Sequence, residues 1–100
     1  MIHHIVIWKL KDFAEGNSKL ENAKLIKEGL ENLKNYIPEI KEIRVGINIE
    51  SNFSNADIVL HSYFDSMEDI FTYQDHPKHH EIADFIGKVR EERYCVDYEF

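Results

Sequence analysis

The sequence lacks the features that define several classes of protein. Its 100 residues include one cysteine, Cys95, so no internal disulfide can form and a reducing compartment is expected. Four scattered glycines give no phosphate-binding loop, and two prolines leave no proline-rich linker. No apolar run approaches the roughly 20 residues of a membrane span, and no signal peptide is recognised. We therefore predict one cytoplasmic domain over residues 1–100.

Positive charge is also scarce. Twelve Lys and Arg stand against nineteen Asp and Glu, which gives a net charge of −7 with the histidines neutral. Nucleic acids and anionic membrane surfaces both select clustered Lys and Arg, so neither is expected as a partner. The apolar share of 43% and the charged share of 31% are those of an ordinary globular domain.

The apolar periodicity predicts an α+β fold. Strands are expected at residues 2–10, 40–49, 57–64 and 93–100, and helices at 18–36, after Asp65-Ser66 and from Pro77. Ser18 and Glu21 have the spacing of a capping box, and Pro38 ends the first helix. The order β-α-β-β-α-β is that of the ferredoxin-like fold, a four-stranded antiparallel sheet with helices on one face.

The first and third predicted strands are apolar on both faces. In the first strand, Ile5 and Ile7 oppose Val6 and Trp8. Two helices cover only one face of such a sheet, so we predict a homodimer through the open sheet face, closing into a dimeric α/β barrel. Its interface would bury about 1,200–2,000 Å². A monomer with a partly exposed apolar face is the alternative, although exposed patches of that size are rare.

Several segments together resemble the stress-responsive α/β-barrel (Dabb) family. They are HHIVIWKLKD at 3–12, IP at 37–38, VG at 45–46, ADIVLHSYFDSMED at 56–69, YQDHPKHH at 73–80 and VDYEF at 96–100. The resemblance implies a dimeric α/β-barrel fold. Many family members have no assigned activity, whereas plant relatives include stress-induced proteins and a polyketide cyclase that works without a cofactor.

The resemblance also implies a site between the sheet and the helices of each subunit. The family places a histidine on the first strand, a tyrosine at the end of the short helix and a histidine two positions beyond the His-Pro pair. These match His4, Tyr73 and His79. An aldol cyclisation needs a base and an oxyanion donor, roles that suit His79 and Tyr73 respectively.

Further residues are expected to line the same pocket, namely Val6, Trp8, His76 and Phe85. Each polar member also has a structural interpretation. His76 precedes Pro77 and suits a helix start, Tyr73 suits a core position, and His4 suits a buried, hydrogen-bonded position.

A metal site at the histidines is a further alternative. His76, His79 and His80 have i, i+3, i+4 spacing, but no Cys, Asp or Glu ligand is clearly directed at the same point. We expect neither a metal nor a cofactor. Two hypotheses remain open: a homodimeric domain of uncertain activity with a pocket for a small apolar or phenolic ligand, and a cyclase-like lyase or isomerase that acts through His79 and Tyr73.

Overall fold

A computed structural model describes residues 1–49 and 53–100 of the chain. Its elements, in order, are β1 (Ile2–Leu10), β2 (Phe13–Ala14), β3 (Asn17–Ser18), α1 (Lys19–Glu31), a 3-10 helix (Asn32–Asn35), β4 (Glu42–Ile47), β5 (Ile58–Phe64), α2 (Met67–Asp75), α3 (Pro77–Val89) and β6 (Arg90–Glu99). The main sheet is antiparallel with strand order β4-β5-β1-β6. This confirms the predicted ferredoxin-like α+β fold. Within the described ranges, no helix has the length and apolar character needed to cross a membrane.

The first helix begins where the capping box predicted. The Ser18 hydroxyl accepts a hydrogen bond from the backbone N–H of Glu21 at 3.2 Å, and the Glu21 carboxylate accepts one from the Ser18 N–H at 2.9 Å. The predicted end at residue 36 was too late, because the α-helix ends at Glu31 and the chain continues as the 3-10 helix. Such tightening satisfies carbonyls that the last α-helical turn leaves free.

A short hairpin, β2-β3, was not predicted. It turns through Glu15 and Gly16, both of which have positive φ values, 50° and 77°. That combination is typical of a type I′ turn, whose strongest sequence signals are Asn-Gly and Asp-Gly. Glu-Gly is a weaker signal. The buried side chain of Asn22 on α1 donates a hydrogen bond to the Ala14 carbonyl at 3.0 Å and so fixes the hairpin against the helix.

The second predicted strand was too long at both ends. β4 covers only Glu42–Ile47, and Ile49 is 82% exposed. The segment ESNFSNA at 50–56, between the second and third predicted strands, is typical of a polar turn, and its residues 50–52 lie outside the described residues. Among the later elements, α2 is capped by Ser66 and α3 begins at Pro77 as expected, whereas β6 begins at Arg90, before the predicted start at residue 93.

Alternation along β1 and β5 divides the sheet into two unlike faces. The face toward the helices buries His4, Val6, Trp8 and Leu10 of β1 and Ile58, Leu60, Ser62 and Phe64 of β5. The other face, called here the open face, carries His3, Ile5 and Ile7 of β1, Val59, His61 and Tyr63 of β5, and Tyr94, Val96 and Tyr98 of β6. Nothing within the described chain covers the open face. Tyr94 and Val96 are 61% and 53% exposed there.

Candidate functional site

A cavity of about 360 Å³ lies on the helix-covered side of the sheet. Its lining comes from β1, α1, β5, α2, α3 and β6: His4, Val6, Trp8, Leu30, Leu60, Tyr73, Gln74, His79, Ala83, Ile86, Gly87, Arg90 and Arg93. The volume is within the range of small-molecule sites in proteins. The lining combines apolar walls with a few polar groups, which is the usual composition of such a site.

The first strand contributes three neighbouring positions on one face. The period of two places His4, Val6 and Trp8 toward the helices, as predicted. His4 is almost completely buried, and its Nδ1 lies 2.5 Å from a carboxylate oxygen of Asp97. Asp97 is directly opposite His4 in the pairing of β1 with β6. A neutral His4 ring therefore donates its Nδ1–H to Asp97 and has its lone pair on Nε2.

Tyr73, near the end of α2, supplies a buried hydroxyl. The residue has no exposed surface, and its hydroxyl has no hydrogen-bond partner among the described residues. Burial raises the pKa of this phenol above its ordinary value of 10.0, so the group keeps its proton at neutral pH. The ring packs edge-on against His79, with centroids 4.6 Å apart, and lies 6.1 Å from the ring of His4.

His79, in the first turn of α3, is held by the preceding helix. Its Nδ1 is 3.1 Å from the backbone carbonyl of Gln74, and a carbonyl only accepts, so Nδ1 carries the proton. The lone pair of the neutral ring is then on Nε2. Burial lowers the pKa of His79 below 6.5, although the bond to Gln74 opposes this shift and the neighbouring His80 adds to it. The ring is therefore neutral at pH 7 and able to accept a proton.

His76 and Phe85 were expected in the pocket but are not among the residues that line it. His76 is the N-cap of α3: its Nδ1 accepts a hydrogen bond from the Lys78 N–H at 3.0 Å, and Pro77 occupies the first helical position. The interpretation of His76 as a residue that caps the helix start therefore accounts for its contacts. Phe85 packs, partly buried, against the hydrophobic core.

The three histidines of the 76–80 segment do not form a metal-binding group. His76 and His79 each use Nδ1 in a backbone hydrogen bond, and His80 is exposed. In the described part of the chain, the potential ligands that do come together are His4, Cys95 and Asp97, with ligand atoms within 4.8 Å of one another. Nδ1 of His4 is already hydrogen-bonded to Asp97, so this group is explained without a metal.

The whole chain, apart from its first residue, matches one protein family. The family model of the stress responsive A/B barrel domain (Dabb) matches residues 2–100. The chain belongs to this family. No functionally curated protein matches it.

Solved structures of similar chains share the fold. A dimeric protein of unknown function with a ferredoxin-like fold from Bacteroides fragilis is 36% identical, with a TM-score of 0.89 over 99% of this chain and 95% of the other. A dimeric ferredoxin-like protein of unknown function from Thermobifida fusca is 23% identical, with a TM-score of 0.84 over 99% and 90%. A hydroxynitrile lyase from Passiflora edulis is also 23% identical, with a TM-score of 0.79 over 97% and 90%.

The Dabb domain brings to the cavity several polar residues that sequence reasoning missed. Arg90 and Arg93 line it, and Asp97 holds the lining residue His4, only because β6 pairs with β1, and the paired residues are 80 or more positions apart in the chain. The alternation of the last strand does place Asp97 and Arg93 on the same face as Cys95. Cys95 is an exposed residue, but partial desolvation of its thiol and the charge of Asp97 raise the pKa of the thiol above its ordinary value.

Proposed function

We propose that the chain forms a homodimer in which each copy binds a small carbonyl compound and transfers a proton on it without a cofactor. The observation that carries this proposal is the presence of Tyr73 and His79 side by side in one cavity. The Tyr73 hydroxyl is buried without a partner, and it belongs to a ring that packs against His79, whose Nε2 is free to act as a base. A buried hydroxyl is rarely left unpaired, because this costs about 1–3 kcal/mol. A ligand oxygen in the cavity would satisfy it.

The two groups suit complementary steps of carbon–carbon bond chemistry next to a carbonyl. Nε2 of His79 takes a proton from the carbon adjacent to the carbonyl, and the C–H electron pair moves into an enolate. The enolate oxygen then receives a hydrogen bond from Tyr73. The enolate carbon attacks a second carbonyl of the substrate, and the His79 proton passes to the new alkoxide. The sequence is redox-neutral, and its reverse cleaves the same bond.

The pKa of His79 lies below its ordinary value and that of Tyr73 lies above it, and both shifts support these roles. A base must be unprotonated before it acts, and burial favours the neutral imidazole. A donor must keep its proton, and burial favours the neutral phenol. General-base catalysis typically contributes about 10²–10⁴-fold in rate, and one oxyanion donor about 10²–10³-fold.

His4 is the third polar group of the proposed site. Its bond to Asp97 fixes the ring orientation and places the lone pair on Nε2, as a carboxylate does for a histidine in many enzymes. His4 would position the ligand or accept a second proton. Asp97 is a positioning residue in this scheme, because it acts through His4.

A lyase is among the proteins that share this fold. The Passiflora edulis structure is described as a hydroxynitrile lyase, but at 23% identity its likeness concerns the fold alone. The proposal therefore rests on the cavity residues of this chain. The second candidate is a Dabb protein that binds a small ligand without chemistry, favoured by relatives of unknown function.

We propose that the homodimer forms through the open face of the sheet. Three rungs of apolar and aromatic side chains cross it, with Tyr63-His3-Tyr98, His61-Ile5-Val96 and Val59-Ile7-Tyr94 side by side. A second copy of the same face would cover them and close the two sheets into a barrel. The structures from Bacteroides fragilis and Thermobifida fusca are both described as dimeric. An interface of about 1,200–2,000 Å² is sufficient for a stable dimer.

The chemistry can be tested without knowing the natural substrate. Acetophenone has slowly exchanging protons next to its carbonyl, and a base in the cavity should replace them with deuterium in heavy water. Proton NMR follows the exchange, and the indole N–H signal of Trp8, the single tryptophan, reports binding in a parallel sample in ordinary water. The wild-type protein should accelerate the exchange. In His79→Gln the acceleration should be at least about tenfold smaller.

An adjacent histidine provides the matched control. His80→Gln changes an exposed ring on the same helix and should exchange deuterium as fast as the wild type. Equal loss in both variants, or unchanged exchange in His79→Gln, would remove His79 from the role of base. Binding at Trp8 with no exchange above background would favour the second candidate, a binding protein.

A further inference from the structure

Two arginines line the same cavity because of an irregularity in the sheet. Residues 90 and 93 are an odd number of positions apart, so a regular strand would direct them to opposite faces. The register of β1 with β6 shifts between Lys9 and Leu10: the partners are Trp8 with Arg93, Lys9 with Glu92 and Leu10 with Arg90. Glu91 is thus the extra residue of a β-bulge, and Arg90 returns to the side of Arg93. Bulges commonly redirect a side chain beside a functional site.

Neither arginine forms an ion pair with a carboxylate of the described residues. Within the described residues, every ion pair uses a lysine or a histidine as its cation. Acidic residues outnumber basic ones by nineteen to twelve, so carboxylates are plentiful elsewhere on the chain. Two guanidinium groups that face one cavity without a carboxylate leave a concentration of positive charge in an acidic protein.

The other polar groups of the lining add donors. The indole N–H of Trp8 can only donate, is buried, and has no partner among the described residues. The Tyr73 hydroxyl is likewise buried without a hydrogen-bond partner among the described residues. Arginine side chains also only donate. A ligand that satisfied this lining would carry acceptor oxygens at its polar end, with an apolar body against Val6 and Leu60.

We propose that the cavity takes a small keto acid, with its carboxylate on Arg90 and Arg93 and its carbonyl at Tyr73. This rests on the proposed function and names its substrate class. A carboxylate matches the planar fork of a guanidinium, and such charge-assisted bonds are stronger than neutral ones. The anion would enter from the sheet edge, since Arg93 is exposed on β6, while the ketone would reach the buried Tyr73.

Paired ligands test the anion site separately from the chemistry. Benzoylpropionate and its methyl ester share the aryl ketone and differ in one negative charge. Binding of each is followed by the indole N–H signal of Trp8. The acid should bind about tenfold more tightly than the ester at low salt, and added sodium chloride should weaken only the acid.

Arginine variants identify the groups responsible. Arg93→Gln and Arg90→Gln should each reduce the affinity for the acid about tenfold and leave the ester unchanged. Arg93→Lys keeps the charge but not the fork, so it should recover part of the loss. Arg44→Gln is the matched control, because Arg44 is exposed on β4 with its backbone paired opposite His61 on the open face. It should bind both ligands as the wild type does.

The outcomes separate the two proposals. Equal affinities for acid and ester, or equal losses of both in the arginine variants, would overturn the anion site and leave the chemistry of His79 in place. Tight acid binding that depends on the arginines, without deuterium exchange, would support the anion site and overturn the chemistry alone. Failure of both ligands to shift the Trp8 signal at millimolar concentration would overturn the keto-acid class.

Discussion

Asp97 and His4 face each other across the pairing of β6 with β1, and their side chains meet at 2.5 Å on the buried side of the sheet. We predict that Asp97→Ala lowers the free energy of unfolding by about 1–3 kcal/mol, because it leaves a donor of buried His4 without an acceptor. Urea denaturation measures this. Glu99→Ala, an exposed residue two positions along the same face, is the control and should change stability by less than about 0.5 kcal/mol. Equal effects would mean that His4 does not depend on Asp97.

Removal of the Tyr73 hydroxyl is expected to separate stability from function. Because the hydroxyl is buried without a partner in the described residues, Tyr73→Phe should leave the free energy of unfolding unchanged or raise it by up to about 1 kcal/mol. The same variant should lose the acceleration of deuterium exchange. Tyr36→Phe, at a half-exposed tyrosine, should alter neither property. A stability loss above about 1 kcal/mol in Tyr73→Phe would indicate that an ordered group already satisfies the hydroxyl.

The predictable part of this molecule is the part that depends on local periodicity. Alternation along β1 placed His4, Val6 and Trp8 on one face, and the capping signals located the starts of α1 and α3. The contacts of β6 were not predictable in this way, because the register that brings Asp97 to His4 and the bulge that redirects Arg90 are fixed by long-range pairing. No periodicity within residues 90–99 reports which residues of β1 they will face.

The prediction that Tyr73 and His79 belong to one site depended on a different kind of information. Their positions in α2 and α3 follow from the helix signals, but their convergence on one cavity was implied only by the family resemblance. The structure brings the two rings together at 4.6 Å. His76 shows the opposite case, because its position before Pro77 already indicated a helix cap, and the hydrogen bond to Lys78 agrees with that simpler interpretation.

The dimer interface is testable at Val96, on the middle rung of the open face. Val96 is 53% exposed in one copy, so Val96→Asp should cost the monomer little, but a dimer would have to bury the new carboxylate. We expect the dimer dissociation constant to rise about 100-fold or more, measured by size-exclusion chromatography with light scattering. Leu20→Asp, at an equally exposed leucine on α1, should remain dimeric. A dimeric Val96→Asp protein would place the interface on another surface.

A histidine pair on the open face makes the same interface sensitive to acid. Nδ1 of His3 lies 3.1 Å from Nε2 of His61, so one ring donates and the other accepts. The His3 ring also stacks on Tyr98 and meets the edge of Tyr63. If both histidines are protonated, neither can accept, and two positive charges adjoin within a surface that the dimer would bury.

The direction of the pH effect follows from the pKa of His61. Burial, followed by the charge of His3, lowers this pKa below its ordinary 6.5, so the folded state binds fewer protons than the unfolded state. The resulting stabilisation of the folded chain is present above about pH 6.5 and is lost as the pH falls through the lowered pKa. Further burial of His61 in a dimer would lower its pKa again, so the dimer equilibrium should respond to pH in the same direction. Glu42, Lys9 and Arg44 also face this side of the sheet, and Arg44 is paired directly opposite His61.

We therefore predict that the dimer weakens between about pH 7.5 and pH 5.5. Analytical ultracentrifugation at fixed ionic strength measures the dissociation constant at each pH. Replacing both histidines, by His3→Gln with His61→Gln, should flatten the pH dependence, because no shared proton remains. The control His80→Gln removes an exposed histidine of α3 and should retain the full dependence. A pH dependence that survives the double replacement would assign the titration to other groups and leave the His3–His61 pair with a packing role only.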